Sequence, residues 1–308
     1  MASPSPIATA VKMDALGLWK EAAAANWAVR ARGTALPYFC SAMPIDDGGP
    51  VRVRFLMLEG WQTFHDFILF RMDPSIGFYL TPAEMPHFEV CFLRDGGAPR
   101  LFRHDPGYQP RELAEGDPRA ELVSKILWQS YGVMMRLESD PKLVFAYAED
   151  QAMFARVEKA DGGWEDAPLA LVQPRPHVEK VSLAKGEIKA AADLPFVREE
   201  TWDCEVTLLT DVVTCETRPR TVYSFRAVEA KSARALFDSR AAMDPDGGLR
   251  RLWEEVPGTL LKQMLALKRV PGEVRVASKR LFRLLRPICV ELPIKLSLHD
   301  RLETGSAS

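Results

Sequence analysis

The string Arg103-His104-Asp105-Pro106-Gly107-Tyr108 puts an arginine, a histidine, an aspartate and a tyrosine within six positions. Arginine and tyrosine side chains can hold an anion, and a histidine beside an aspartate can take up and pass on a proton. Residues on a loop held between rigid elements are favoured for such work. The same string is equally what a tight turn demands, because proline presets φ and glycine supplies the positive φ that other residues resist. The turn is the adopted reading, and Arg103 and Tyr108 stay as candidates for contact with an anion or a partner.

A second candidate is electrostatic. Between residues 262 and 301 ten lysines and arginines stand against three acidic residues, in a chain whose formal charge is −2. The rest of the chain is therefore acidic, and any attraction to a polyanion has to come from this segment. Lys279, Arg283 and Arg286 fall at i, i+4 and i+7, on the side of a helix opposite Leu281, Leu284, Leu285 and Ile288. Such a row can dock phosphates or an acidic protein surface. It can also be a solvated face that pairs with acids of the same chain. Exposed aromatics for base stacking are not interleaved with it, which weighs against single-strand recognition.

Other chemistry is not encoded in a recognisable motif. The chain has no G-x-S-x-G elbow, no glycine-rich phosphate loop and no H-E-x-x-H. His65 and Asp66 are neighbours in a helical stretch and point about 100° apart, so by themselves they make no acid/base pair. The cysteines, Cys40, Cys91, Cys204, Cys215 and Cys289, are odd in number and set among apolar neighbours, which reads as reduced core thiols. No C-x-x-C spacing occurs and the histidines, His65, His87, His104, His177 and His299, form no compact run, so neither a metal nor a cofactor is expected. The first dozen residues lack the charged and apolar regions of a secretory signal, and apolar stretches end short of the ~18 residues that cross a bilayer. No membrane contact is expected, and the cytoplasm is the expected compartment.

The elements that must position these residues follow from composition and period. At 308 residues with 47% hydrophobic and 27% charged side chains, the chain can bury one large core or two modest ones, which excludes disorder and fibrous repeats. The Leu, Trp and Ala pattern predicts a helix over 14–32, and alternation predicts strands at 38–43 and 51–58. Helical spacing returns over 61–72, then a hairpin joins 87–93 to 100–104 around the glycines of 95–98. A helix over 118–138 carries the apolar stripe Val123, Ile126, Leu127, Tyr131 and Met134. Strands are expected at 143–148 and 153–159, and a less regular stretch follows to 176.

Beyond a surface connection at 176–195, strands are expected at 201–209 and 221–228, with a third at 235–243 whose alanines also permit a helix. A helix over 249–268, capped by 244–248, a strand at 273–277, a helix over 279–291 and a strand at 294–299 complete the chain. Strand, helix, strand units need right-handed crossovers, hence a parallel section beside the antiparallel strands. The expected class is α+β in two mixed modules, at 14–175 and 196–302, with structureless ends at 1–13 and 303–308.

Several strings carry a resemblance: Pro37-Tyr38-Phe39-Cys40-Ser41-Ala42-Met43, the run from Leu101-Phe102-Arg103 through Pro106-Gly107-Tyr108-Gln109-Pro110, and Pro271-Gly272-Glu273-Val274-Arg275-Val276 followed by a helix and Ile294-Lys295-Leu296. Together they resemble an uncharacterised bacterial family of domain-of-unknown-function proteins, over residues 16–302. Leu292-Pro293 stands where that family usually has Leu-Gly, a change in the turn before the last strand. The resemblance implies the two-module plan and, because the family has no assigned activity, transfers no catalytic residue. The second module is also similar in element order to the ribonuclease-H-like fold, and fold likeness alone carries no function. Phosphodiester cleavage on that scaffold needs carboxylates clustered to hold two divalent metals. Glu229 could supply one, but Ser278 and Lys279 stand where a second is wanted, and a lysine repels metal.

The expectation is a non-catalytic binding or regulatory protein that meets a protein partner through Lys279, Arg283 and Arg286, with Arg103 and Tyr108 as further contacts. Two alternatives are a metal-dependent phosphodiesterase on the second module and nucleic-acid binding through residues 262–301.

Overall fold

The computed structural model describes residues 4–23, 25–46, 48–72, 84–114, 116–173, 181–213, 218–242 and 248–302. The expected proline-rich connection at 174–176, the cap at 244–247 and the tail at 303–308 lie outside these residues, as do His177 and Cys215. The chain divides into two units: Met1–Asp66, Met85–Asp105 and Pro110–Arg175 make the first, and Phe67–Glu84, Pro106–Gln109 and Pro176–Ser308 the second.

In the first unit, α1 (Pro6–Ala15), α2 (Trp19–Ala22), β1 (Asn26–Arg30), β2 (Tyr38–Pro44) and β3 (Val51–Glu59) are followed by α3 (Gly60–Met72), which runs on into the second unit. Then come β4 (His87–Leu93), β5 (Arg100–His104), β6 (Arg111–Glu112), α4 (Ala120–Leu137), a 3₁₀ turn (Leu143–Phe145), β7 (Ala152–Glu158) and β8 (Trp164–Ala170). The strands form one sheet in the order β6-β5-β4-β3-β2-β1-β7-β8, antiparallel throughout except where β1 runs parallel to β7. The stripe of α4 buries Val123, Ile126, Leu127 and Met134 in a core shared with Phe55, Met57, Phe88 and Val90. Trp27 is wholly buried in that core, and its indole N–H donates to the Ser130 hydroxyl of α4 at 3.2 Å.

The first forty residues depart from expectation. The helix expected over 14–32 is two short helices and β1. The stretch 1–13, expected to lack structure, contains most of α1, started by Pro6 in its first turn and by Ser5, whose hydroxyl accepts from the Ala8 amide. Alanines made 14–32 look helical, yet β1 sits between β2 and β7 and buries Trp27, Ala28 and Val29 in succession, so it shows no alternation to betray it. The strand expected at 143–148 is the 3₁₀ turn, and the stretch taken as irregular contains β8.

The second unit holds α5 (Lys185–Ala192), β9 (Phe196–Val213), β10 (Arg220–Glu229), β11 (Arg234–Ala242), α6 (Gly248–Leu267), β12 (Val270–Val276), α7 (Lys279–Glu291) and β13 (Lys295–Leu298). Its sheet has the order β11-β10-β9-β12-β13, with β9, β10 and β11 antiparallel and β12 parallel to both β9 and β13. Both modules are mixed and the α+β class holds, with antiparallel strands followed by helix, strand, helix and strand as expected. The surface connection expected at 176–195 instead contains α5, which buries Ala191. Gly272 is fixed by contact: a Cβ there would stand 2.1 Å from the carbonyl oxygen of Arg198 on β9. Among the described residues no helix is long and apolar enough to cross a membrane.

A candidate binding groove and a buried imidazole cluster

Helix α7 begins at Ser278, whose side chain accepts from the Leu281 amide at 3.3 Å. Its apolar stripe, Leu281, Leu284, Leu285 and Ile288, is buried against the sheet. Arg280 is buried with it and lies 4.0 Å above the Trp253 ring, a cation held by the ring's negative face. The stripe turns the opposite side of the helix outward. There Arg283 and Arg286 line an open groove of about 690 Å³ together with Lys185 and Lys189, and Glu291 is its one acidic lining residue among the described residues. The floor is apolar, made by Val181, Leu183, Ile188, Pro287 and Val290. Two of the three cations of the expected row thus share a site, and Lys279, at the first position of the helix, is not part of it.

Much of the remaining positive charge of 262–301 is matched inside the module. Arg269 lies 3.0 Å from Glu200, Lys295 lies 3.0 Å from Glu273, and Arg275 on β12 grips Asp203, its register partner on β9, through bonds of 2.6 and 2.9 Å. Arg103 is committed to two carboxylates of the first unit, with Nε donating to Asp105 at 2.7 Å and an Nη to Glu59 at 3.1 Å, and it is 6% exposed. That placement does not present Arg103 to a ligand. Gly107 adopts φ +87°, and the Gly107 carbonyl and Gln109 amide bond to Thr221 and Pro219, so the turn reading describes this string. Half-buried Tyr108 pairs with Arg220 and lies under Arg218, 4.2 Å from its guanidinium. Glu229 accepts from the Ser232 hydroxyl and faces Arg234, with no second carboxylate drawn into a metal-binding cluster among the described residues.

A different cluster does form. On β4 the side chains of His87, Glu89 and Cys91 alternate onto one face, and on β5 His104 pairs in register with His87. His87 and Glu89 are buried and His104 nearly so. The His87 Nδ1–H donates to the Met85 carbonyl at 2.8 Å, which leaves the Nε2 lone pair pointing toward Glu89, whose Oε2 is 3.8 Å away. Nε2 of His104 comes within 2.7 Å of the same oxygen. At that distance the His104 Nε2–H donates to the carboxylate, whereas Nε2 of His87 is buried without a hydrogen-bond partner.

The other oxygen of Glu89 accepts from the Cys91 thiol at 3.1 Å, and the Arg54 guanidinium lies 3.3 Å from it as an ion pair. Burial lowers the proton affinity of His87, so its imidazole is neutral. Burial works to raise the Glu89 carboxyl, but the hydrogen bond from His104 foremost, with Arg54 beside it, outweighs burial and holds the group ionised, well below the usual range. Burial, with the Glu89 charge beside it, pushes the Cys91 thiol up to about 12. Cys40, Cys91, Cys204 and Cys289 are all free buried thiols.

The histidine pair was missed because motif spacing is counted along one strand. The signal was nonetheless available: a hairpin of 87–93 with 100–104 pairs the first residue of one strand with the last of the other, and both are histidine.

Residues 187–306 match the family model described as Domain of unknown function (DUF6930). The match takes in the sheet of the second unit, with the 271–276 and 294–296 strings, while the 37–43 and 101–110 strings lie outside it. No curated protein and no solved structure matches the chain.

Proposed function

We propose that the protein is a binding module whose second unit captures an acidic segment of a protein partner in the groove beside α7. The observation that carries this reading is the meeting of Arg283 and Arg286 with Lys185 and Lys189 around one apolar floor. The basic side chains on this lining favour an anion, and the apolar floor favours one that also presents hydrophobic side chains. A groove open along one side suits a peptide lying across it, whereas small-molecule sites enclose most of their ligand. The exposed Val290, at 72%, gives such a segment an apolar contact that water does not provide. The phosphodiesterase reading draws no support from carboxylates, since Asp203 is held by Arg275 and Glu229 stands apart from it in register. Nucleic-acid binding is weakened by the matching of Arg269, Arg275 and Lys295 within the module.

The test is fluorescence anisotropy with a labelled peptide of alternating Glu and Leu, its Gln/Leu analogue, and a single-stranded and a duplex oligonucleotide, each across a salt series. The acidic peptide should bind, weaken as salt rises, and lose at least tenfold in affinity to Arg286→Glu and to Lys189→Glu. Equal binding of the Gln/Leu analogue, indifference to both charge reversals, or preferential binding of the oligonucleotides would overturn the assignment.

A further inference from the structure

We propose that His87, Glu89 and His104 form a site for one divalent transition-metal ion, with zinc the best match to two imidazole nitrogens and one carboxylate oxygen. The candidate donor atoms of these three residues all lie within 4.8 Å of one another. Two features separate the cluster from an ordinary polar pocket. Nε2 of His87 is buried without a hydrogen-bond partner, a costly state for a group that burial has stripped of water. A cation between the two imidazoles and Glu89 Oε2 would take up the His87 lone pair and replace the proton that His104 shares with Glu89. Second, His87 already has the outer contact that metal-bound imidazoles use: its Nδ1–H is held by the Met85 carbonyl, which fixes the tautomer and leaves Nε2 free to ligate.

The surroundings set the properties of the site. Arg54 and the Cys91 thiol occupy the far oxygen of Glu89, orienting the carboxylate so that Oε2 faces the imidazoles. Arg54 also opposes a cation, which keeps affinity below that of an all-thiolate site. Three protein donors leave a fourth position for water. The rings of His87 and His104 are stacked, 4.1 Å between centroids and 12° between planes. Stacked imidazoles cannot aim their in-plane lone pairs at one ion, so loading turns one ring. His104 is the ring that turns, because it ends β5 beyond the residues paired with β6 and is the more exposed of the two.

The experiment uses the full chain without an affinity tag, stripped of metal and titrated with Co²⁺ alone. One equivalent should give the visible absorption of a four-coordinate ion, and Zn²⁺ should displace it. His104→Gln and Glu89→Gln should each weaken Co²⁺ binding by at least a hundredfold while circular dichroism stays that of the parent. Zn²⁺ should raise the thermal midpoint of the parent and leave that of His104→Gln unchanged. Should either variant fail to fold, ¹⁵N-histidine spectra of the unaltered chain decide: Zn²⁺ must shift the Nε2 signals of two imidazoles. Absence of that shift, absence of a four-coordinate spectrum, or a spectrum retained in His104→Gln would overturn the site.

Discussion

Gly272 is the residue whose identity backbone contact dictates most directly. A methyl group at its Cα would collide with the Arg198 carbonyl oxygen, carbonyl carbon and Cα, which are backbone atoms and cannot rotate aside. The β9–β12 register shifts between Pro271 and Glu273, where this close approach occurs. Gly272→Ala should therefore destabilise the second unit by about 3 kcal/mol. Urea unfolding followed by Trp202 and Trp253 fluorescence measures it, and a variant as stable as the parent would contradict the contact. Nothing in the local string Pro-Gly-Glu announces this, because the obstructing atoms come from a strand some seventy positions earlier. The site residues divide the same way. Arg283 and Arg286 were legible because helical period is local, and their companions Lys185 and Lys189 were not, since only the folded unit brings α5 beside α7.

At the scale of elements, ion pairs tie helix to sheet. Asp166 on β8 accepts from Arg136 of α4 at 2.7 and 3.1 Å, and from its register partner Arg156 on β7 at 2.6 Å. The Arg136 guanidinium foremost, with Arg156 beside it, holds the Asp166 carboxyl below its ordinary range despite partial burial. A carboxyl depressed in the folded state contributes stability that is fully present above the unfolded value, near pH 4, and lost as pH falls through the folded one. The stability difference between the parent and Asp166→Asn should accordingly be present at pH 7 and shrink steadily below about pH 4. Denaturant unfolding at pH 7 and pH 3 checks this, and a difference that grows in acid would refute the pairing.

Elements with a strong local pattern were read well from the chain. The limits of β4, β5 and α7 are those expected, because alternation, glycine turns and an amphipathic stripe each act over a few residues. β1 defeated the same method, since a strand buried on both faces presents the apolar run of a buried helix.

Across the whole molecule the chain does not spend its first half on one unit and its second half on the other. It passes between them at 66/67, 84/85, 105/106, 109/110 and 175/176. Two of the early segments complete the second unit: Glu84 accepts from the buried Tyr223 hydroxyl at 2.8 Å, and Gly107 and Gln109 pair with the entrance to β10. A polypeptide of residues 181–302 keeps all five strands but loses the Glu84 bond to Tyr223 and the backbone bonds from Gly107 and Gln109. Its urea midpoint should fall below that of the second unit in the full chain, and an unchanged midpoint would show the early segments to be dispensable. Element order could predict two modules, but composition has no means of assigning 67–84 or 106–109 to the later one.

The same interlacing governs the order of events during synthesis. Glu84, Gly107 and Gln109 leave the ribosome well before β10 exists to receive them, so the nascent polypeptide carries these groups unmatched until more than two thirds of it has been made. Closing contacts across so long a span slows the last stage of assembly. Chaperone dependence in the cell should therefore peak late in elongation.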